Sequence, residues 1–348
     1  MTASPRVGTT PYLRLDLTVL DANIEAMAAL ARRLGAAVRP HAKTHKCPQI
    51  ADRQLAAGAV GLTVATIGEA EVFAEAGVRD LFIAYPLWVD SEDADRLRML
   101  VAAGVRVAVG CDSAEAGANL AGLPLDVLVE LDSGHHRSGV EPALAGRLAA
   151  DLARLGLRVS GAFTFPGHSY SPGSRRQAAA DEADALRTAA EAMSAAGVPA
   201  QVLSGGSTPS AEFSGSPAGE LRPGVYVFGD AQQRELGTIG FEQVALTVAA
   251  TVVSHSGGRV ICDAGSKALG ADRAPWASGY GRVLDAPEAR IVALSEHHAT
   301  LEWPGALPAL GSTILVVPNH VCNAVNLADE YVLTTGGRWP VAARGRNH

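Results

Sequence analysis

Cysteine is scarce: four residues in 348, at positions 47, 111, 262 and 322, with no CxxC pair among them. Such spacing excludes a disulfide framework and leaves free thiols or metal ligands. Long apolar runs are missing too. No stretch reaches the ~18 residues of a membrane span, and Met1 to Pro11 lacks the apolar core of a signal peptide. Basic charge is not in excess, and a net charge of −7 argues against a nucleic-acid backbone as partner. Low-complexity tracts, internal repeats and long linkers are absent, and no GxGxxG sits between a first strand and its helix. These absences lead us to expect a cytoplasmic, soluble chain with no membrane or nucleic-acid partner.

What is present is a core-forming composition, 48% hydrophobic, in a chain long enough for two domains. Leu20, Ile24, Met27, Leu30 and Leu34 recur at spacings of three and four, as do Leu144, Leu148, Leu152 and Leu155. Each set marks one face of an amphipathic helix. Further helical patterns cover Ile67–Ala76, Ser91–Ala103 and Ser174–Ala196. Between them lie short apolar runs at Ala37–Pro40, Val60–Val64, Leu81–Tyr85, Val105–Val109, Val127–Leu131, Val159–Phe163, Gln201–Leu203 and Gly224–Phe228. Eight strand–helix units predict an α/β fold, a TIM barrel over 16–232. Beyond Asp230 the texture turns to β-branched runs broken by glycine, proline and polar turns: Val244–Val253, Arg259–Asp263, Ala289–Leu294, Thr300–Trp303 and Thr313–Val317. A smaller, mostly β domain over 233–348 follows, with Tyr12–Leu15 as a further strand from the segment 1–15.

Barrel chemistry sits at the C-terminal ends of strands. There the chain supplies Lys43, Thr66, Tyr85, Asp112, Arg137, His168, Gly205-Gly206-Ser207-Thr208 and Gly224. Lys43, inside Arg39-Pro-His-Ala-Lys-Thr-His-Lys46, reads either as a desolvated, imine-forming amine or as part of a basic loop for an anion. The glycines and hydroxyls of Ser204–Pro209, with Arg222-Pro-Gly224, suit a phosphate after the seventh and eighth strands, where a structural turn is the plainer account. Arg137, in Leu131-Asp-Ser-Gly-His-His-Arg-Ser-Gly139, either touches a ligand oxygen or pairs with Asp132. His320-Val-Cys322 puts imidazole and thiol on one face if the segment is extended, a start on a metal site. A packed cysteine beside a satisfied histidine is the alternative. Glu296-His297-His298 is a possible third contributor or a polar turn.

Taken together these segments resemble the fold type III pyridoxal-phosphate (PLP) enzymes, specifically the D-serine dehydratase and D-threonine aldolase family, over nearly the whole chain. Arg39–Lys46 is similar to the family's PLP-lysine motif, which implies a Schiff base on Lys43. Leu131-Asp-Ser-Gly…Arg137-Ser-Gly-Val140 resembles the segment whose arginine contacts the PLP phenolic oxygen. Gly205-Gly206-Ser207-Thr208 and Pro223-Gly224-Val225-Tyr226 resemble its phosphate-binding segments, and Tyr170 matches within an otherwise divergent Phe163–Tyr170. Arg222 stands where alanine racemases place the arginine that faces the pyridine nitrogen. Leu294-Ser-Glu-His297 and Pro318-Asn-His-Val-Cys322 resemble the metal-bearing region, implying a divalent ion, Zn2+ by ligand type, on His320 and Cys322.

The resemblance implies a lyase for D-3-hydroxy amino acids. Lys43 takes the α-proton, and the metal eases loss of the β-hydroxyl, giving a keto acid and ammonia. Cys322, where the aldolase branch usually has aspartate, favours this dehydratase reading. The alternative is retro-aldol cleavage to glycine and an aldehyde with His297 as base. A racemase lacks its second base here, and a PLP carrier would lack the β domain. The family further implies a homodimer.

Overall fold

A computed structural model describes residues 9–348. The chain divides into two compact units, one of Glu25–Lys43, Ile50–Gly224 and Arg346–His348, the other of Met1–Ile24, Thr44–Gln49 and Val225–Gly345.

The chain's first strand, β1 (Tyr12–Leu15), belongs to the second of these units. The first is built on eight strands: β2 (Ala37–Val38), β3 (Leu62–Val64), β4 (Asp80–Pro86), β5 (Arg106–Cys111), β6 (Asp126–Leu131), β7 (Arg158–Thr164), β8 (Val202–Gly205) and β9 (Glu220–Leu221). All seven pairings are parallel, in the order β2-β9-β8-β7-β6-β5-β4-β3. The two ends of that order meet. His41 bridges to Thr63 in parallel, and Val60 and Thr63 amides donate to the carbonyls of Val38 and Pro40 at 2.9 Å each. The sheet therefore closes into a TIM-like barrel.

Strand composition follows from burial on both faces. In β6, Val127 through Leu131 are all buried, so apolar residues run on without alternation. The helices between strands start where the sequence offers side-chain caps. Thr66, Asp90 and Ser113 accept the amides of Glu69, Asp93 and Ala116, each satisfying a donor that the first helical turn leaves open. Phe82, Leu128 and Phe163 form an apolar layer inside the barrel, the two rings edge to face with centroids 5.0 Å apart.

One strand is misplaced in the sequence reading. Gly224–Phe228 is not the eighth strand; Glu220–Leu221 is, and Val225–Val227 forms a 3-10 turn closed by Phe228 and Gly229 amides on Val225 O. Pairing decides it. Gly219 and Arg222 donate to carbonyls of Leu203 and Gly205, while Ala37 and Arg39 donate to those of Gly219 and Leu221. A two-residue strand that begins on Glu220 and runs into Arg222 carries no β signature, whereas Val-Tyr-Val does.

The charges around this strand form a buried chain of bonds. Arg39 Nε donates to Glu220 Oε2 (2.7 Å) and its Nη1 to Asp80 Oδ1 (2.6 Å). Ser204 Oγ donates to Glu220 Oε1 (2.6 Å), and Arg222 reaches Ser204 Oγ (2.5 Å) and Thr164 O (2.6 Å). Each buried ion thus has partners, without which burial would cost several kcal/mol, on the order of 3–5.

In the other unit, β10 (Leu246–Ser256), β11 (Arg259–Cys262), β12 (Gly281–Val283), β13 (Ala286–Leu294), β14 (Ala299–Glu302) and β15 (Thr313–Pro318) close a ring in the order β11-β14-β13-β12-β15-β10, with β10 returning to β11. β1 adds antiparallel to β10, followed by β16 (Glu330–Leu333) and β17 (Arg338–Pro340). Tyr12–Leu15 is the strand its sequence predicts. β12, β16 and β17 escape the sequence reading. No helix of the described residues is long and apolar enough to cross a membrane.

Candidate active site

Parallel strands deliver their C-terminal ends to one mouth of the barrel, and this fixes where the candidate residues lie. Lys43 sits in the 3-10 turn Ala42–Thr44 that follows β2. Its side chain is exposed, so the expectation of an enclosed, desolvated amine does not hold. The motif's second lysine is committed elsewhere: Lys46 is buried and donates to Asn326 Oδ1 at 2.7 Å. Only one other lysine exists in the sequence, Lys267, and it pairs with Glu296 (2.6 Å).

After β6, the loop answers the question of Asp132. Its carboxylate accepts the amides of Gly134 and His136 (2.9 and 3.0 Å) and bonds the His136 ring (2.8 Å). Arg137 instead lies over the Phe165 ring, 5.4 Å from its centroid. Tyr170 approaches the same ring at 6.2 Å, so Phe165 joins two residues expected to touch the cofactor. Two buried polar atoms near these strand ends, Glu130 Oε2 and His168 Nδ1, have no hydrogen-bond partner among the described residues. Thr66, by contrast, is a helix cap whose hydroxyl donates to Arg346 O.

After β8, Gly206 turns left-handed (φ +82°), and Ser207, Thr208 and Ser210 are buried. The Ser207 hydroxyl lies 2.8 Å from those of Ser169 and Ser210, a cluster of rotatable donors of the kind that suits a phosphate. Gly206 N–H is engaged differently from the expectation of a phosphate donor: it donates to Glu182 Oε2 at 2.6 Å. Arg222, after β9, is fully buried over the rings of Phe163 and Phe82, and burial brings its pKa down to about 10, against the pull of Glu220, Glu182 and Glu130. It remains a cation at neutral pH. Gly224 follows it, and Val225 and Tyr226 are buried in the next turn. Clustered buried hydroxyls and a fixed cation suit an anionic group such as pyridoxal phosphate, and the residues fit it.

Burial lifts the Glu182 carboxyl to a pKa of about 7, with Gly206 N–H and the Arg222 charge pulling it down. The folded state therefore binds this proton more tightly than an unfolded carboxyl near 4.5. That stabilisation is complete below pH 4.5 and is lost as the pH rises through 7. Wild-type protein is expected to lose thermal midpoint between about pH 5 and about pH 8, by more than Glu182→Gln does. Parallel profiles for the two would contradict this.

The β unit holds His320 and Cys322, and here the geometry corrects the sequence reading. The pair does not lie on an extended strand. β15 ends at Pro318, His320 caps the helix Val321–Asn326, and Cys322 is in that helix's first turn. Cys322 lies two residues past His320, at the start of the same helix. His320 Nδ1 is 2.5 Å from Asp272 Oδ2, leaving Nε2 as the second ring nitrogen. Asp230 anchors the turn through Val321 N–H (3.1 Å), and Cys322 Sγ donates to the hydroxyl of Thr44, the residue after Lys43 (3.4 Å). Burial disfavours the imidazolium, but Cys322, Asp272 and Asp230 outweigh it and hold the pKa up at about 11. An imidazole and a thiol close to two carboxylates are donor types that a divalent cation takes.

Among the described residues no three His, Cys, Asp or Glu side chains form a metal-holding group. His297 and His298 lie exposed in the turn between β13 and β14, next to the Glu296–Lys267 pair, and do not join His320 and Cys322 in such a group. Two protein ligands leave coordination positions open. Removing the carboxylate behind the histidine, by Asp272→Asn, is expected to weaken metal affinity about 10–100-fold in a chelator competition. An unchanged affinity would deny Asp272 its part.

Sequence reasoning missed Phe165, Asp272 and Glu182. Glu182 alone left a signal: it interrupts the small apolar face of Ala178, Ala185, Leu186, Ala189 and Met193 in the helix Arg175–Ala195.

Residues 15–232 match the family model of the alanine racemase N-terminal domain, and 245–334 that of a putative serine dehydratase domain. The chain is 36% identical to a D-threonine aldolase of Arthrobacter, covering 97% of this chain and 93% of that one. It is 35% identical to the D-threo-3-hydroxyaspartate dehydratase of Delftia strain HT23, covering 90% of each. The solved structure of that dehydratase superposes with a TM-score of 0.88 at 32% identity, over 97% of this chain and 99% of that one. A Cys→Ala variant of the same enzyme is known in a metal-free form, and a His→Ala variant lies two residues earlier in that chain. The chain belongs to the D-serine dehydratase and D-threonine aldolase family of PLP-dependent lyases, built on the alanine racemase fold.

Proposed function

We propose that this protein is a PLP- and metal-dependent dehydratase of D-3-hydroxy amino acids, releasing a keto acid and ammonia. The observation that carries the reading is His320, bonded through Nδ1 to Asp272 and followed by Cys322 at the start of one helix, in a chain that shares its fold with a D-threo-3-hydroxyaspartate dehydratase. When bound, PLP supplies an electron sink at Cα, and the metal supplies a Lewis acid at the β-hydroxyl.

The chain's residues divide the remaining work. Lys43 would hold the cofactor and, once substrate displaces it, would take the α-proton. Ser207, Thr208, Gly224, Val225 and Tyr226 would hold the phosphate, and Arg137 and Tyr170, both against Phe165, would contact the cofactor, Arg137 at its phenolic oxygen. Arg222, a cation at neutral pH, would disfavour protonation of the pyridine nitrogen and so moderate the sink. Imidazole and thiolate together suit Zn2+.

Retro-aldol cleavage is the second reading, favoured by the identity to the Arthrobacter D-threonine aldolase. It needs a base for the β-hydroxyl, and His297, an exposed turn residue, is the candidate. Incubating the loaded protein with D-serine, D-threonine and D-threo-3-hydroxyaspartate separates the two. Keto acid with equimolar ammonia is the expected product; glycine with an aldehyde would establish the aldolase instead.

A further inference from the structure

Glu182 is a buried carboxyl that the proposed chemistry does not use. It is 1% exposed, projecting from a helix face otherwise lined by alanine, leucine and methionine. An apolar side chain would satisfy that packing without the cost of burying a carboxyl, about 1–3 kcal/mol or more. The strand opposite has adapted to it. A Cβ on Gly205 would lie 2.6–3.0 Å from the three atoms of the Glu182 carboxyl, so glycine at 205 makes room for this group. The next residue, Gly206, donates its N–H to Glu182 Oε2 at 2.6 Å while in the left-handed region. Its own Cβ position is hemmed by Leu221 at 3.1 Å. The Gly-Gly pair that reads as an anion cradle thus already contains an anion-type acceptor, from the protein itself.

We propose that Glu182 is a positioning residue for the cofactor's phosphate: by tying Gly206 N–H from the helix side, it fixes the turn that presents the Ser207 and Thr208 hydroxyls. The turn has little slack, because the Ser207 hydroxyl is held between those of Ser169 and Ser210 at 2.8 Å each. Losing the tie releases Gly206 and moves the whole hydroxyl cluster. Burial keeps the carboxyl protonated up to about pH 7, so it accepts the amide without adding full negative charge beside a phosphate dianion.

This inference rests on the reading of the barrel as a PLP site, and its test measures cofactor affinity, not turnover. Wild-type, Glu182→Gln and Glu182→Ala proteins are titrated with PLP and with pyridoxal, which lacks the phosphate, following the absorbance of lysine-bound cofactor. The alanine variant should lose about tenfold in the ratio of PLP to pyridoxal affinity, the effect of ~1.4 kcal/mol, while glutamine stays within about threefold of wild type. A ratio unchanged in the alanine variant overturns the proposal, including the case where both affinities fall together. Should that variant not fold, Gly205→Ala, which crowds the carboxyl, is put through the same titration; a lowered ratio supports the proposal, and the wild-type ratio overturns it. Wild-type protein that binds neither compound refutes the cofactor reading itself.

Discussion

Lys43→Ala protein shows no absorbance of lysine-bound PLP, and its turnover falls by about 10⁴-fold or more. That is the scale expected when a covalent anchor and a positioned base are lost together. The size of the effect follows from the absence of a substitute. The sequence contains three lysines; Lys46 is buried against Asn326 and Lys267 is paired with Glu296. Lys46→Ala is the matched control. It gives up a buried hydrogen bond, at a stability cost of about 1–2 kcal/mol, but keeps the cofactor absorbance. A Lys43→Ala protein that retained the absorbance would move the anchor elsewhere.

Cys322→Ala, or exhaustive treatment of the wild type with a chelator, is expected to lower dehydration by about 10³-fold and leave the lysine-bound cofactor intact. A Lewis acid at a leaving hydroxyl contributes several kcal/mol to the transition state, and each ~1.4 kcal/mol is a factor of ten. Returning Zn2+ restores the chelated wild type but not the variant, because a single imidazole is left to grip the ion. Full activity in verified metal-free protein would remove His320 and Cys322 from the reaction.

Much of this was legible in the sequence, and the reasons for the exceptions are specific. Seven barrel strands announce themselves as apolar runs because both faces of a parallel sheet are buried. The eighth does not, because Glu220 and Arg222, which flank and form it, belong to a buried ionic chain that only the closed barrel assembles. His320 and Cys322 are found through their spacing, yet they lie at the start of a six-residue helix and not on an extended segment. Asp272 lies 48 residues from His320, and Glu182 lies 24 from Gly206, distances at which local pattern carries no information about contact. Lysine's rarity was a usable signal: with three in the chain, two of them inside one eight-residue motif, the anchor's position was already narrowly bounded.

The central claim is that Lys43 carries the cofactor, and reductive trapping tests it most directly. Borohydride treatment of the PLP-loaded protein, followed by digestion and peptide mass spectrometry, should place the pyridoxyl phosphate mass on Lys43 alone. Modification of Lys46 or Lys267 in its place, or none at all, would contradict the account.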